Sequence, residues 1–149
     1  MITVEELIGT WKIVSYTLMD KDGNITYPLG RECKAYLIYT ADSHVTVQIS
    51  SLERKPYASG DLHTGTIEEM AEAAHTYVAY TGTYTLKPEK SEVIHNIELS
   101  MNPCWENQPQ IRKLDYDGEF LRITAPVNGG CLIWKKVSYE EKSVNTNSL

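Results

Sequence analysis

What most constrains this chain is its rhythm. From residue 10 to residue 137, short β-branched and aromatic runs recur, and each closes within a few residues on a turn signal. Residues 10–19 end on "DKDGN". "KAYLIYT" (34–40) and "HVTVQIS" (44–50) flank Ala41-Asp42-Ser43, a short hairpin loop. "YTGTYTL" (80–86), "EVIHNIELS" (92–100), "QIRKLDY" (110–116), "EFLRIT" (119–124) and "CLIWKKV" (131–137) follow, separated by Lys87-Pro88, Asp117-Gly118 and Asn128-Gly129-Gly130. Parallel neighbours need long crossovers, so links this short imply antiparallel strands.

Two stretches break the pattern. Thr3-Val4-Glu5-Glu6 and Thr66-Ile67-Glu68-Glu69 both fit the S/T-x-x-E capping box, predicting a short helix over 4–8 and a second over 67–77. Residues 52–65, with Pro56, Gly60 and Gly65, read as a loop before the second helix. A sandwich and a closed barrel both remain open for eight or nine such strands. A simple meander without long return connections favours the barrel, whose interior at eight strands fits side chains or one small ligand. Residues 1–138 read as one domain and 139–149 as a polar, frayed tail.

Composition removes several function classes. A net charge of −6 with scattered Lys and Arg argues against a nucleic-acid binder. No apolar run approaches the roughly 20 residues of a membrane helix. The acidic start, without a basic and apolar leader pattern, leads us to expect a cytoplasmic protein. Cys33, Cys104 and Cys131, odd in number and without C-x-x-C spacing, read as reduced thiols. His44, His63, His75 and His95 lack metal-ligand spacing, and no nucleophile elbow or phosphate-binding glycine loop is present, so neither a metal nor a cofactor is expected.

Gly9-Thr10-Trp11 with Ser15 heads the first strand. "DGNITYPLG", "AYLIYT", "YASGDLHTGTIEE" and "YTGTY" follow in order. Together they resemble the small bacterial and fungal lipocalin-like domain family, a G-x-W signature included. The resemblance implies an all-β, eight- to nine-stranded antiparallel up-and-down barrel of calycin type, with a short N-terminal helix and one inserted helix. It places Trp11 near the closed end as a structural plug. It also implies a basic residue of the last strand over the Trp ring, a part open here to Lys135 or Lys136 where lipocalins more usually carry Arg. Some relatives sit beside biosynthetic enzymes, which keeps a cyclase or isomerase role in view.

Alternation along the strands nominates the cavity. Val93, His95, Ile97, Leu99 and Met101 share one face, so His95 is the titratable group of an apolar, inward side. It reads either as a ligand partner or general base, or as a core histidine satisfied by a Tyr hydroxyl. Tyr80, Tyr84 and Leu86 share the expected interior face with Gly82, which leaves room for a close neighbour. Arg112 either faces inward with Leu114, needing a carboxylate, or outward with Ile111 and Lys113 inside. The faces of 34–40 are both apolar and leave that strand unoriented, while Gln48 points outward. Trp105, in the loop "NPCWENQP", reads either as a cap over the barrel mouth or as a packing anchor. The expected cavity lining is thus Tyr36, Tyr80, Tyr84, His95, Trp105 and Arg112, around a small hydrophobic or amphipathic molecule with a polar group. The alternative is a cofactor-free cyclase or isomerase in which His95 shuttles a proton.

Overall fold

The computed structural model describes residues 1–138; the tail expected over 139–149 lies outside them. Helix α1 (Val4–Leu7) carries the full capping box, with Thr3 and Glu6 exchanging side-chain and backbone hydrogen bonds. Strands β1 (Gly9–Met19), β2 (Ile25–Thr26), β3 (Cys33–Tyr39) and β4 (His44–Ser51) follow. Helix α2 (Ile67–His75), again boxed by Thr66 and Glu69, leads into β5 (Tyr77–Lys87). The meander then runs through β6 (Glu92–Ser100), β7 (Pro109–Tyr116), β8 (Phe120–Ala125) and β9 (Gly130–Lys136).

Every neighbouring pair is antiparallel, and β9 returns to pair with β1, so β1 and β3–β9 form a closed eight-stranded barrel. The short β2 is an extra strand on the far end of β1. Closure leaves no exposed sheet edge along the barrel wall and resolves the choice against the sandwich.

One end is plugged. Trp11 is fully buried, and its indole N–H donates to the Leu7 carbonyl at 2.9 Å, tying β1 to α1. Lys136, rather than Lys135, lies over the Trp11 ring, with Nζ 5.2 Å from the centroid and donating to the Glu6 carbonyl at 2.6 Å. Strand alternation explains why it is Lys136. Trp134 points inward and Lys136 shares its face, whereas Lys135 points out to Glu119 and the Phe120 ring. The glycine of G-x-W has its reason in the same contact. Gly9 sits at φ +137°, and a Cβ there would lie 2.8 Å from Lys136 Cε, so the lysine stem crosses the space that a side chain would take. Replacing Lys136 by Met is therefore expected to cost about 1 kcal/mol in urea unfolding, with Lys135→Met near zero.

Two bulges reset the inward face. Between Ile13 and Ser15 the β1–β9 register shifts, leaving Val14 exposed and turning Tyr16 inward. Between Thr81 and Gly82 the β5–β6 register shifts past Glu98. Leu99 and Met101, expected inside with His95, consequently face out, Leu99 being 67% exposed.

Candidate functional site

At the end opposite Trp11 the barrel holds a narrow cavity of about 50 Å³ that opens to solvent. Leu37 on β3, Val47 and Ile49 on β4, Ile123 on β8 and Leu132 on β9 form apolar walls. Tyr16, Tyr80, His95, Trp105, Arg112 and Trp134 supply the polar and aromatic groups. Four of the six expected lining residues meet here: Tyr80, His95, Trp105 and Arg112.

Tyr36 and Tyr84 do not join them. Inward positions on β3 are Ala35, Leu37 and Tyr39, so Tyr36 stands on the outer surface, 47% exposed beneath Lys12. Tyr84 is buried but packs edge-on against Tyr39 and donates its hydroxyl to the Thr40 carbonyl at 2.9 Å, below the cavity floor. Tyr16 and Trp134 were not among the expected residues. The β1 bulge hides the first from strict alternation, and the continuous apolar run "CLIW" gives the second no distinguishing period.

His95 is held on both sides. Its Nε2 meets the Tyr39 hydroxyl at 2.7 Å and its Nδ1 the Tyr80 hydroxyl at 2.8 Å, so one nitrogen donates and the other accepts. Burial pushes its pKa down to about 3, and the nearby Arg112 guanidinium pushes the same way. Burial likewise raises Tyr80 to about 12, against the opposing pull of Arg112, and lifts Tyr39 well above its ordinary value. The imidazole is thus neutral and the tyrosines protonated around pH 7. A general base poised near neutrality is not what this environment makes.

Arg112 does face inward, 8% exposed, with Ile111 and Lys113 outside. Its Nη1 donates to the Ile111 carbonyl at 3.1 Å and, more distantly, to Gln110 Oε1 at 3.4 Å. Among the described residues no carboxylate forms an ion pair with it. Trp105, on the 3-10 turn Pro103–Trp105, sets its ring edge-on to Tyr80 at 5.9 Å. Among the described residues no cluster of His, Cys, Asp or Glu could hold a metal ion, the three cysteines are free thiols, and no helix is long and apolar enough to cross a membrane.

A closed eight-stranded meander, plugged at one end by a tryptophan and opening to a narrow cavity at the other, defines a calycin-type barrel. The chain belongs to the lipocalin-like domain family, whose model matches residues 8–142. Over 67 residues it is 34% identical to the 4'-hydroxy-3'-methoxypropiophenone carrier protein ppsC of Aspergillus oryzae. That match takes in 41% of this chain and 60% of the length of the relative. Among solved structures it is similar to a lipocalin-like protein from Bacteroides uniformis, with 14% identity, a TM-score of 0.48, and 88% of this chain and 98% of the other covered. An uncharacterized protein from Bacteroides eggerthii aligns with 12% identity and a TM-score of 0.48, over 88% of this chain and 99% of the other.

Proposed function

We propose that this protein binds a small, mostly apolar molecule carrying a polar group, held between the apolar walls of the barrel cavity. The observation that supports it most is the convergence of Tyr80, His95, Arg112 and Trp134 on one otherwise apolar, one-ended space. The cargo named for the Aspergillus oryzae carrier protein, an aromatic ketone with hydroxyl and methoxy groups, has that character. The cyclase or isomerase reading has less behind it. His95 spends both ring nitrogens on tyrosines and stays neutral, which leaves it no free nitrogen to exchange a proton with a substrate at pH 7.

Trp105 and Trp134 line the cavity, so intrinsic fluorescence reports on its occupancy. Titration with 4'-hydroxy-3'-methoxypropiophenone or with the uncharged probe N-phenyl-1-naphthylamine is expected to saturate at about one molecule per chain. Ala125, buried on β8 at the cavity wall, offers a block: Ala125→Trp should weaken binding at least about tenfold while melting remains cooperative. Equal affinity in the blocked variant would place binding elsewhere and sink the proposal.

A further inference from the structure

We propose that the cavity is built for an anion, the carboxylate of a flat, mostly apolar acid, received by the Arg112 guanidinium, the Tyr80 hydroxyl and the Trp134 indole N–H. The proposal rests on the binding role above and names the head group that role would select.

Arg112 carries the first part of the argument. A guanidinium has five N–H donors and no acceptor; Nη1 meets Ile111 O and Gln110 Oε1, and the guanidinium also hydrogen-bonds the Tyr80 hydroxyl. None of these acceptors carries charge at pH 7. A buried cation without a counter-charge is among the costlier things a barrel can contain, and the wall of an open cavity is where a ligand can supply that charge. The side chain lies over nine-tenths buried, yet it borders the cavity space.

Trp134 adds an independent observation. Its Nε1 is buried and has no hydrogen-bond partner among the described residues, while the side chain lines the same cavity. An indole N–H can only donate, so what it lacks is an acceptor.

The direction of hydrogen bonding through His95 supplies the third donor. Tyr39 is buried, and among the described residues its hydroxyl meets no acceptor but His95 Nε2. Leaving that hydroxyl proton unpaired would be costly, so Tyr39 donates and Nε2 accepts. A neutral imidazole then carries its hydrogen on Nδ1, which donates to the Tyr80 oxygen at 2.8 Å. The Tyr80 hydroxyl hydrogen is left to point at something else. Tyr80 lines the cavity and the Arg112 guanidinium lies beside it. His95 is therefore a positioning residue: it turns Tyr80 into a donor toward the ligand.

Three side chains that carry donors, one of them charged, thus line one space. The nearby side-chain acceptors are already used: Gln110 Oε1 takes Arg112, and Asn128 Oδ1 takes the Gly130 N–H at 3.0 Å. A carboxylate offers two oxygens with about four lone-pair sites and suits the planar guanidinium. An amine would bring a second positive charge beside the Arg112 guanidinium. The body attached to the carboxylate lies among Leu37, Val47, Ile123 and the edge of Trp105, which favours a flat aromatic or alkenyl group.

The test uses two ligands of nearly equal shape, trans-cinnamate and trans-cinnamamide, titrated calorimetrically at pH 7. Cinnamate is expected to bind at least about tenfold more tightly, and Arg112→Met should remove that preference while leaving cinnamamide within about threefold. Tyr80→Phe should weaken cinnamate more than cinnamamide, and thermal melting of each variant shows that the barrel persists. Cinnamamide binding as well as cinnamate would overturn the anion proposal and leave the binding role standing. So would a preference for cinnamate that survives in Arg112→Met. Failure of both ligands, with N-phenyl-1-naphthylamine still bound, overturns the anion proposal alone. Failure of all three compounds overturns the binding role with it.

Discussion

Lowering the pH from about 6.5 to about 4.5 is expected to remove roughly 2–3 kcal/mol of folding stability through His95 alone. In the unfolded chain this imidazole takes up its proton near 6.5; in the barrel it does so only at about 3. Between those values the unfolded state binds the extra proton, so stability falls as pH falls, by about 1.4 kcal/mol per unit. The carboxylates with lowered pKa values, Asp20, Asp42, Glu69, Glu92 and Asp117, act in the same direction but start from ordinary values of 4.5 or less. The window above about pH 4.5 therefore isolates the histidine. Urea midpoints across that window, compared with those of His95→Gln, provide the measurement. The variant is expected to lose the slope, because an amide can still join Tyr39 to Tyr80 but cannot titrate. His44, exposed beside Asp42, is present in both proteins and cancels in the difference. A wild-type stability flat over the window would mean that His95 is not held neutral, and the directed Tyr39–His95–Tyr80 chain would fall with it. On the alkaline side the sign reverses: Tyr39 and Tyr80, raised above 10, cost stability as pH climbs past that value.

The sequence conveyed the barrel more completely than its lining, and particular residues show why. Closure follows from many short strands with short links, and the capping boxes placed both helices at their N-terminal ends. His95 was legible because Val93 and Ile97 flank it on one face, and both are buried with it. Two positions further on, the same alternation fails at Leu99, because the Glu98 bulge inserts a residue that no periodic rule anticipates. Tyr16 was lost to the equivalent bulge at Val14. Arg112 could not be oriented, since each face of β7 mixes an apolar residue with a basic one, Leu114 with Arg112 and Ile111 with Lys113. Tyr36 was misplaced for the opposite reason: both faces of β3 are apolar, so only pairing to β1 and β4 fixes which is inside. Periodicity thus reads a strand whose two faces differ and whose pairing is regular.

Gly82→Ala is expected to cost about 3 kcal/mol or more, and to damage the cavity as well as the fold. A Cβ built on Gly82 would lie 1.9 Å from the Asn96 carbonyl oxygen, 2.9 Å from the Asn96 carbonyl carbon and 3.1 Å from the Glu98 nitrogen. All three are backbone atoms of β6, so no change of rotamer relieves the overlap and the strands themselves must separate. The close approach comes from the bulge, where pairing jumps from Thr81–Leu99 to Gly82–Ile97. Gly82 lies on the inward face between Tyr80 and Tyr84, and Tyr84 is paired with His95 across the same ladder. Pushing β6 away therefore moves His95 from Tyr80 and releases the donor that its Nδ1 sets. Gly118→Ala is the control. Its site has open space around it but a φ of +98°, so only backbone strain of about 1–2 kcal/mol is expected. Urea unfolding of the two variants ranks the effects, and cinnamate titration reads the cavity. If Gly82→Ala proves no costlier than Gly118→Ala, the strands do not meet this closely, and the bulge cannot be what holds Tyr80 and His95 in register.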